Sequence, residues 1–196
     1  MKRAVQELRS EHELVASAAT SLRRIAELVV RGGTFDASSA LELVEFLRDS
    51  ANVYHQRKEE EGLFPALFEQ GLARARVAEL LADHVRERVE MAEIAECLQG
   101  AAYGDWASLD RFVFLAERYA IAQLAHATWE ESILLPLADE LLDDVHDAAA
   151  VRRYQEIDAE AGTRAVRARA GLLRRIAERV EEESACGAAC ACPTPA

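Results

Sequence analysis

Two segments of this chain carry the same order of coordinating side chains. In YHQRKEEEGLFPAL, residues 54–67, His55 is followed four residues later by Glu59 and then by Leu63, Phe64 and Pro65. In AHATWEESILLPLA, residues 125–138, His126 is followed by Glu130 and then by Leu134, Leu135 and Pro136. A four-residue step on a helix puts two side chains on one face, one turn apart. Imidazole and carboxylate together suit iron, manganese or zinc. His12 and His84 fall on the apolar stripes of two other segments, so four of the five histidines take core positions. Buried with them, Glu59 and Glu130 would be strongly destabilising unless positive charge compensates them. No lysine lies on those stripes, and Arg88 alone cannot serve both acids. The pattern therefore calls for a pair of divalent or trivalent cations, with carboxylates from two helices bridging them.

Four long helices are needed to bring these groups together, and the periodicity supplies them. The first runs from about Arg3 to Arg31, carries Val5, Leu8, His12, Val15, Ala19, Leu22, Ala26 and Val29, and stops at Gly32-Gly33. The second is capped by Asp36 and places Leu41, Val44, Arg48, Ala51, His55, Glu59 and Gly62 inward before ending near Gly71, with Pro65 as a potential kink. The third, about Ala73 to Gln99, carries Val77, Leu81, His84, Arg88, Met91, Ala95 and Leu98. The fourth, roughly Trp106 to Leu142, carries Phe112, Leu115, Tyr119, Ala122, His126, Glu130, Ile133 and Leu137. Joined by short turns, they form an all-α, antiparallel up-down-up-down four-helix bundle over 1–142.

A further helical segment over 143–183, with Ile157, Ala161, Ala165, Leu172, Leu173, Ile176 and Val180, must bury its stripe against the bundle or in a homodimer. The final residues 184–196, small and cysteine-bearing, are expected to be disordered. Cys186, Cys190 and Cys192 form C-x3-C-x-C, too short and too flexible a signal for a defined zinc site, and an inert tail is favoured over one that passes metal or thiols to a partner. The net charge of −12 argues against nucleic acid or an anionic membrane as partner. No apolar run is long enough to span a bilayer, and MKRAVQELRSEHEL lacks the core of a secretion signal, so a cytoplasmic protein is expected.

HQRKEEEGLFP and its echo HATWEESILLP resemble the two signature segments of the hemerythrin-like, or HHE cation-binding, family. Glu11-His12-Glu13 and Asp83-His84 resemble its first and third ligand helices, and the likeness covers about residues 5–140. It implies a non-haem di-iron site, oxo- or hydroxo-bridged, with His12, His55, His84 and His126 as terminal ligands and Glu59 and Glu130 as bridges. Oxygen-carrying members have a second histidine four residues after the third-helix one, where this chain has Arg88. Their fourth helix bridges with an aspartate at the position of Glu131. These departures bring the chain nearer to the repair and sensor proteins of the family, which use the H-x3-E motif twice.

The expected ligand is a small diatomic or a peroxide. Three functional classes fit: an enzyme acting on peroxide or nitric oxide, a sensor or carrier without turnover, and an iron-handling protein. Arg88 is read as a partner of a ligand carboxylate or a bound anion. Tyr119, two turns before His126, is read first as core with its hydroxyl satisfied elsewhere, and second as a donor to the centre. Glu60 and Glu61 are expected in solvent; Glu131 belongs to a similar acidic run but is kept as a candidate to support the site. His146 is expected at the surface.

Overall fold

The computed structural model describes residues 1–33, 36–71 and 74–161, together with 171, 173–176, 178–180 and 182. Ala73, Ala165, Leu172, the three tail cysteines and the expected disorder of 184–196 lie outside the described residues. Helix α1 spans Arg3–Val30. Gly32 turns the chain at φ +74°, and the Gly33 N–H donates to Leu28 C=O at 2.9 Å, closing the last turn. Asp36 caps the next helix by accepting from the N–H groups of Ser38 and Ser39.

That helix, α2, runs unbroken over 37–69. It is α-helical over Ala37–Phe46, π-helical over Leu47–His55, and again π-helical over Glu59–Leu63 before Phe64–Glu69. Helix α3 is Arg74–Ala102. Helix α4 covers 106–141 and has its own π turn at Glu130–Leu134. Helix α1 packs against α2 and α4, and α3 against α2 and α4, which is the square of an antiparallel bundle. Among the described residues there is no strand.

The π turns answer the question the two prolines raise. Pro65 and Pro136 have no N–H to donate, and their rings crowd the carbonyl four residues back. Widening the turn ahead of each ring relieves that crowding: the N–H groups of Phe64 and Leu135 donate five residues back, to the carbonyls of Glu59 and Glu130. The prolines therefore do not kink the helices; they sit where α-helix resumes. A wide turn also shifts the phase of the inward face, and two stripe assignments fail for that reason. Arg48 is exposed while Leu47 is buried, and Ile133 is 50 % exposed while Leu134 is buried.

The interior is two apolar cores. One contains Leu22, Leu43, Leu47, Met91, Phe112 and Leu115, and the other Leu8, Leu63, Phe64, Leu67, Leu135 and Tyr154. Between them lies a layer of buried His and Glu side chains.

Helix α5, Asp144–Ala161, buries Ala150, Val151 and Tyr154 in the second core, and Ile157 is buried as well. Leu173, Ile176 and Val180 join the first. Of the stripe expected over this segment, Ile157, Leu173, Ile176 and Val180 are thus buried within the chain. Docking of α5 depends on Gly62 in the Glu59–Leu63 turn: a Cβ there would stand 2.4 Å from Tyr154 Cε1 and 2.9 Å from Cδ1. Gly62→Ala improves helix propensity by about 1 kcal/mol, yet overpacking costs about 1–3 kcal/mol, so a net loss is expected in urea unfolding. Adding Tyr154→Leu should recover that loss; no recovery would place the strain elsewhere.

Candidate metal centre

Four helices each present one imidazole to the layer between the cores. The π turns of α2 and α4 start at Glu59 and Glu130, one turn after His55 and His126. Both carboxylates are fully enclosed, at 0 % and 1 % exposure. His12, His55 and His84 are buried, and the side chain of His126 is 6 % exposed. All six predicted groups are brought together. In each of the sets His12, His55, Glu59, Glu130 and Glu59, His84, His126, Glu130, the coordinating atoms lie within 4.8 Å of one another.

The two glutamates are shared between the sets by their separate oxygens. Glu59 Oε1 lies 3.7 Å from His12 Nε2 and 3.5 Å from His55 Nε2, while Oε2 lies 3.4 Å from His84 Nε2. Glu130 Oε2 lies 3.3 Å from His12 Nε2, and Oε1 lies 3.1 Å from His126 Nε2. His12 and His55 come from the α1–α2 hairpin, and their rings are 4.7 Å apart; His84 and His126 come from the α3–α4 hairpin, at 5.1 Å. Both Glu59 oxygens, Glu130 Oε1, His12 Nε2 and His84 Nε2 are buried with no hydrogen-bond partner. Buried polar atoms are normally satisfied, so donors orphaned together and facing one another fit a cation between them.

Behind three of the imidazoles stands a carboxylate on Nδ1: Glu131 at 2.8 Å from His12, Glu11 at 2.9 Å from His55, and Glu60 at 2.9 Å from His84. Such a partner accepts the Nδ1 proton and leaves the Nε2 lone pair facing the layer. Each supporting carboxylate has a cation of its own. Arg9 lies 3.2 Å from Glu131, Lys58 2.7 Å from Glu11, and Arg88 2.9 Å from Glu60. Burial works against ionisation of Glu11 and Glu60, but their histidine and basic partners hold both below the usual carboxylate range. Glu60 is therefore not a solvated residue as its acidic run suggests, whereas Glu61 pairs with Arg57 and Arg153 at the surface. Arg88 supports the carboxylate behind His84, with its guanidinium also on Gln56 Oε1 at 2.9 Å.

His126 differs. Its Nδ1 has no hydrogen-bond partner and lies 3.6 Å from Glu87 Oε1 and 3.8 Å from Asp83 Oδ2. Glu87 is 2 % exposed, bonded to Gln56 Nε2 at 2.7 Å, and burial raises its carboxyl above the usual range. Sequence reading gave its inward place to Arg88; the observed buried positions 77, 80, 84, 87, 91, 94 and 98 would have found it. Tyr119 is core, fully enclosed, with its hydroxyl 2.8 Å from Asn52 Oδ1 and 3.1 Å from Gln123 Oε1. His146, expected at the surface, is partly exposed, 2.7 Å from Asp143 and 3.4 Å from Glu69.

Burial alone would lower the histidines' proton affinity, but Glu130 and Glu59 hold His12 up at about 11, and Glu130 chiefly holds His126 at about 9. Glu130 is driven the opposite way: burial would raise it, yet His12 and His126 keep it far below the usual carboxylate range.

A helical bundle with a buried layer of shared carboxylates and imidazoles defines a cation-binding four-helix protein. The chain belongs to the hemerythrin family: the family model described as hemerythrin HHE cation binding domain matches residues 3–138. No curated protein matches the chain. Among the described residues, no helix is long and apolar enough to cross a membrane.

Proposed function

We propose that the chain is a non-haem di-iron protein that binds or reacts with O2, peroxide or nitric oxide. His12 and His55 would hold one ion, His84 and His126 the other, and Glu59 and Glu130 would be shared between them. The observation that carries this reading is the division of each carboxylate, one oxygen toward each histidine pair. Iron in such a site supplies one-electron chemistry and coordination positions open to a diatomic or peroxide ligand.

The chain's own residues do the rest. Glu11, Glu60 and Glu131 fix the ring orientations and keep the Nδ1 protons away from the ions. The two apolar cores exclude bulk water from above and below the layer. Each set would offer an ion four protein donors, and the arginine at 88 is engaged with Glu60 where an oxygen carrier has a further histidine. That engagement supports the repair or sensor type of the family.

Metal analysis joined to the absorption spectrum before and after dithionite and nitric oxide tests the proposal. Two irons per chain and oxo-bridged ferric bands that respond to the gas are expected. A colourless protein loaded with zinc or manganese would overturn it. Turnover of peroxide or nitric oxide marks an enzyme; reversible binding without turnover marks a sensor; loss of iron to a weak chelator marks iron handling.

Metal binding should also displace protons. With His12 raised to about 11 and His126 to about 9, a cation taking their Nε2 atoms at pH 7 expels about two protons per chain. Calorimetric titration in two buffers of different ionisation enthalpy reads that number, and a value near zero would refute it. The sign for the chain without added metal follows from the same groups. Their raised values stabilise the fold fully below the ordinary histidine value of 6.5, and that contribution is lost as pH rises through about 9 and then 11. The depressed Glu130 contributes above 4.5 and loses its contribution in acid. Metal-loaded protein should lack the alkaline loss.

A further inference from the structure

The cation layer is enclosed between two cores, so the ions need a way in, and α3 and α4 leave a cleft of about 350 Å³ that reaches His126. Three acids of α3, spaced four residues apart, line one wall in order of depth: Glu79, Asp83 and Glu87. Their side chains are 61 %, 36 % and 2 % exposed. At the floor, His126 turns an Nδ1 into the cleft that no hydrogen bond satisfies, and its Nε2 lies 3.1 Å from Glu130. We infer that this acidic ladder is the route by which a divalent cation reaches the buried centre, an inference that rests on the metal-binding reading above.

Charge along the wall supports a cation over an anion. At the rim, Arg76 pairs with Glu79 and Arg86 with Asp83, the latter at 2.6 Å. Exposed pairs of this kind contribute little and open readily. Arg76 has a second resting place over the Trp129 ring, 4.9 Å from its centroid. Deeper in, Glu87 has Gln56 as its hydrogen-bond donor in place of a cation. The wall thus passes from acids paired with arginines at the rim to Glu87, whose basic neighbour is the His126 imidazole at 3.6 Å rather than a guanidinium, and on to Glu130, an order of acids that favours a cation over an anion. The cleft on the opposite side of α4 lacks this order. There Glu131 and Arg9 close over His12, whose Nδ1 is already bonded, beside Ala16, Leu124 and Ala127.

Uptake of Co2+ by apoprotein, followed by its visible absorption in stopped flow, tests the route independently of any activity. Glu79→Lys changes the mouth by two charge units and should slow uptake about tenfold, with weaker salt dependence. Its equilibrium stoichiometry should remain that of wild type. Glu13→Lys, at the opposite cleft, should stay within about twofold of the wild-type rate. Equal rates for wild type and Glu79→Lys, or equal slowing by both variants, would overturn the route. A wild-type stoichiometry below two counts against the di-metal assignment instead, and the rate comparison still reports which cleft admits the ion that binds.

Discussion

With two ions shared as proposed, Glu59→Gln is expected to lower the affinity for both together, by more than about 100-fold. Removing a group that merely supports a ligand costs about 10–100-fold, and Glu59 contributes an oxygen to each of the two donor sets as well as a charge. Glutamine keeps the shape and one acceptor but turns an amide N–H₂, a donor with no lone pair to offer a cation, toward one histidine pair. His84→Ala is the contrasting variant, since it strips a donor from one set alone. Metal content after equilibration against a chelator of known affinity distinguishes them. If Glu59→Gln kept one ion as tightly as wild type and released the other, Glu59 would be a terminal ligand and the shared-carboxylate account would fail.

Lys58→Met lowers the stability of the fold by about 3 kcal/mol, because removing one partner of an enclosed ion pair strands the others. The Lys58 side chain is 3 % exposed and joins three helices: its ammonium lies 2.7 Å from Glu11 on α1 and 2.9 Å from Asp158 on α5. It also sits over the Tyr54 ring at 4.6 Å, and the Tyr54 hydroxyl donates to Asp158. Methionine preserves the stem while deleting the charge, so packing is nearly conserved. For a domain of this size the expected fall in Tm is about 6–12 °C. Affinity for the bound cation should fall as well, since Glu11 loses the ammonium that holds it against His55. A thermal shift below about 2 °C would mean that water replaces the ammonium without loss.

The residues that meet in the buried layer were legible because helical spacing is rigid: a histidine and a glutamate four apart share a face whatever surrounds them. The bundle was legible for the same reason, as were the Asp36 cap and the turn at Gly32. Errors fell where the helix changes its width. Nothing in Leu47–His55 advertises a π turn, so the 3.6-residue period put Arg48 inside, and across Glu130–Leu134 it did the same for Ile133. Two of the supporting acids were hidden for another reason. Glu60 stands in the run Glu59-Glu60-Glu61 and Glu11 two residues from Glu13, both indistinguishable from solvated surface, and only the fold reveals that each lies behind an imidazole; Glu131 was a candidate from the sequence.

The pairing of the histidines by hairpin has a mechanical meaning. On the proposed assignment each ion takes both imidazoles from one half of the molecule and a single oxygen from the other half's glutamate. Neither half can complete a site alone, so sliding α1–α2 past α3–α4 would tear one bond from each ion at once. The metals then act as cross-ties between two sub-assemblies, and the oxidation state that sets the strength of those ties would also set how firmly the halves are clamped.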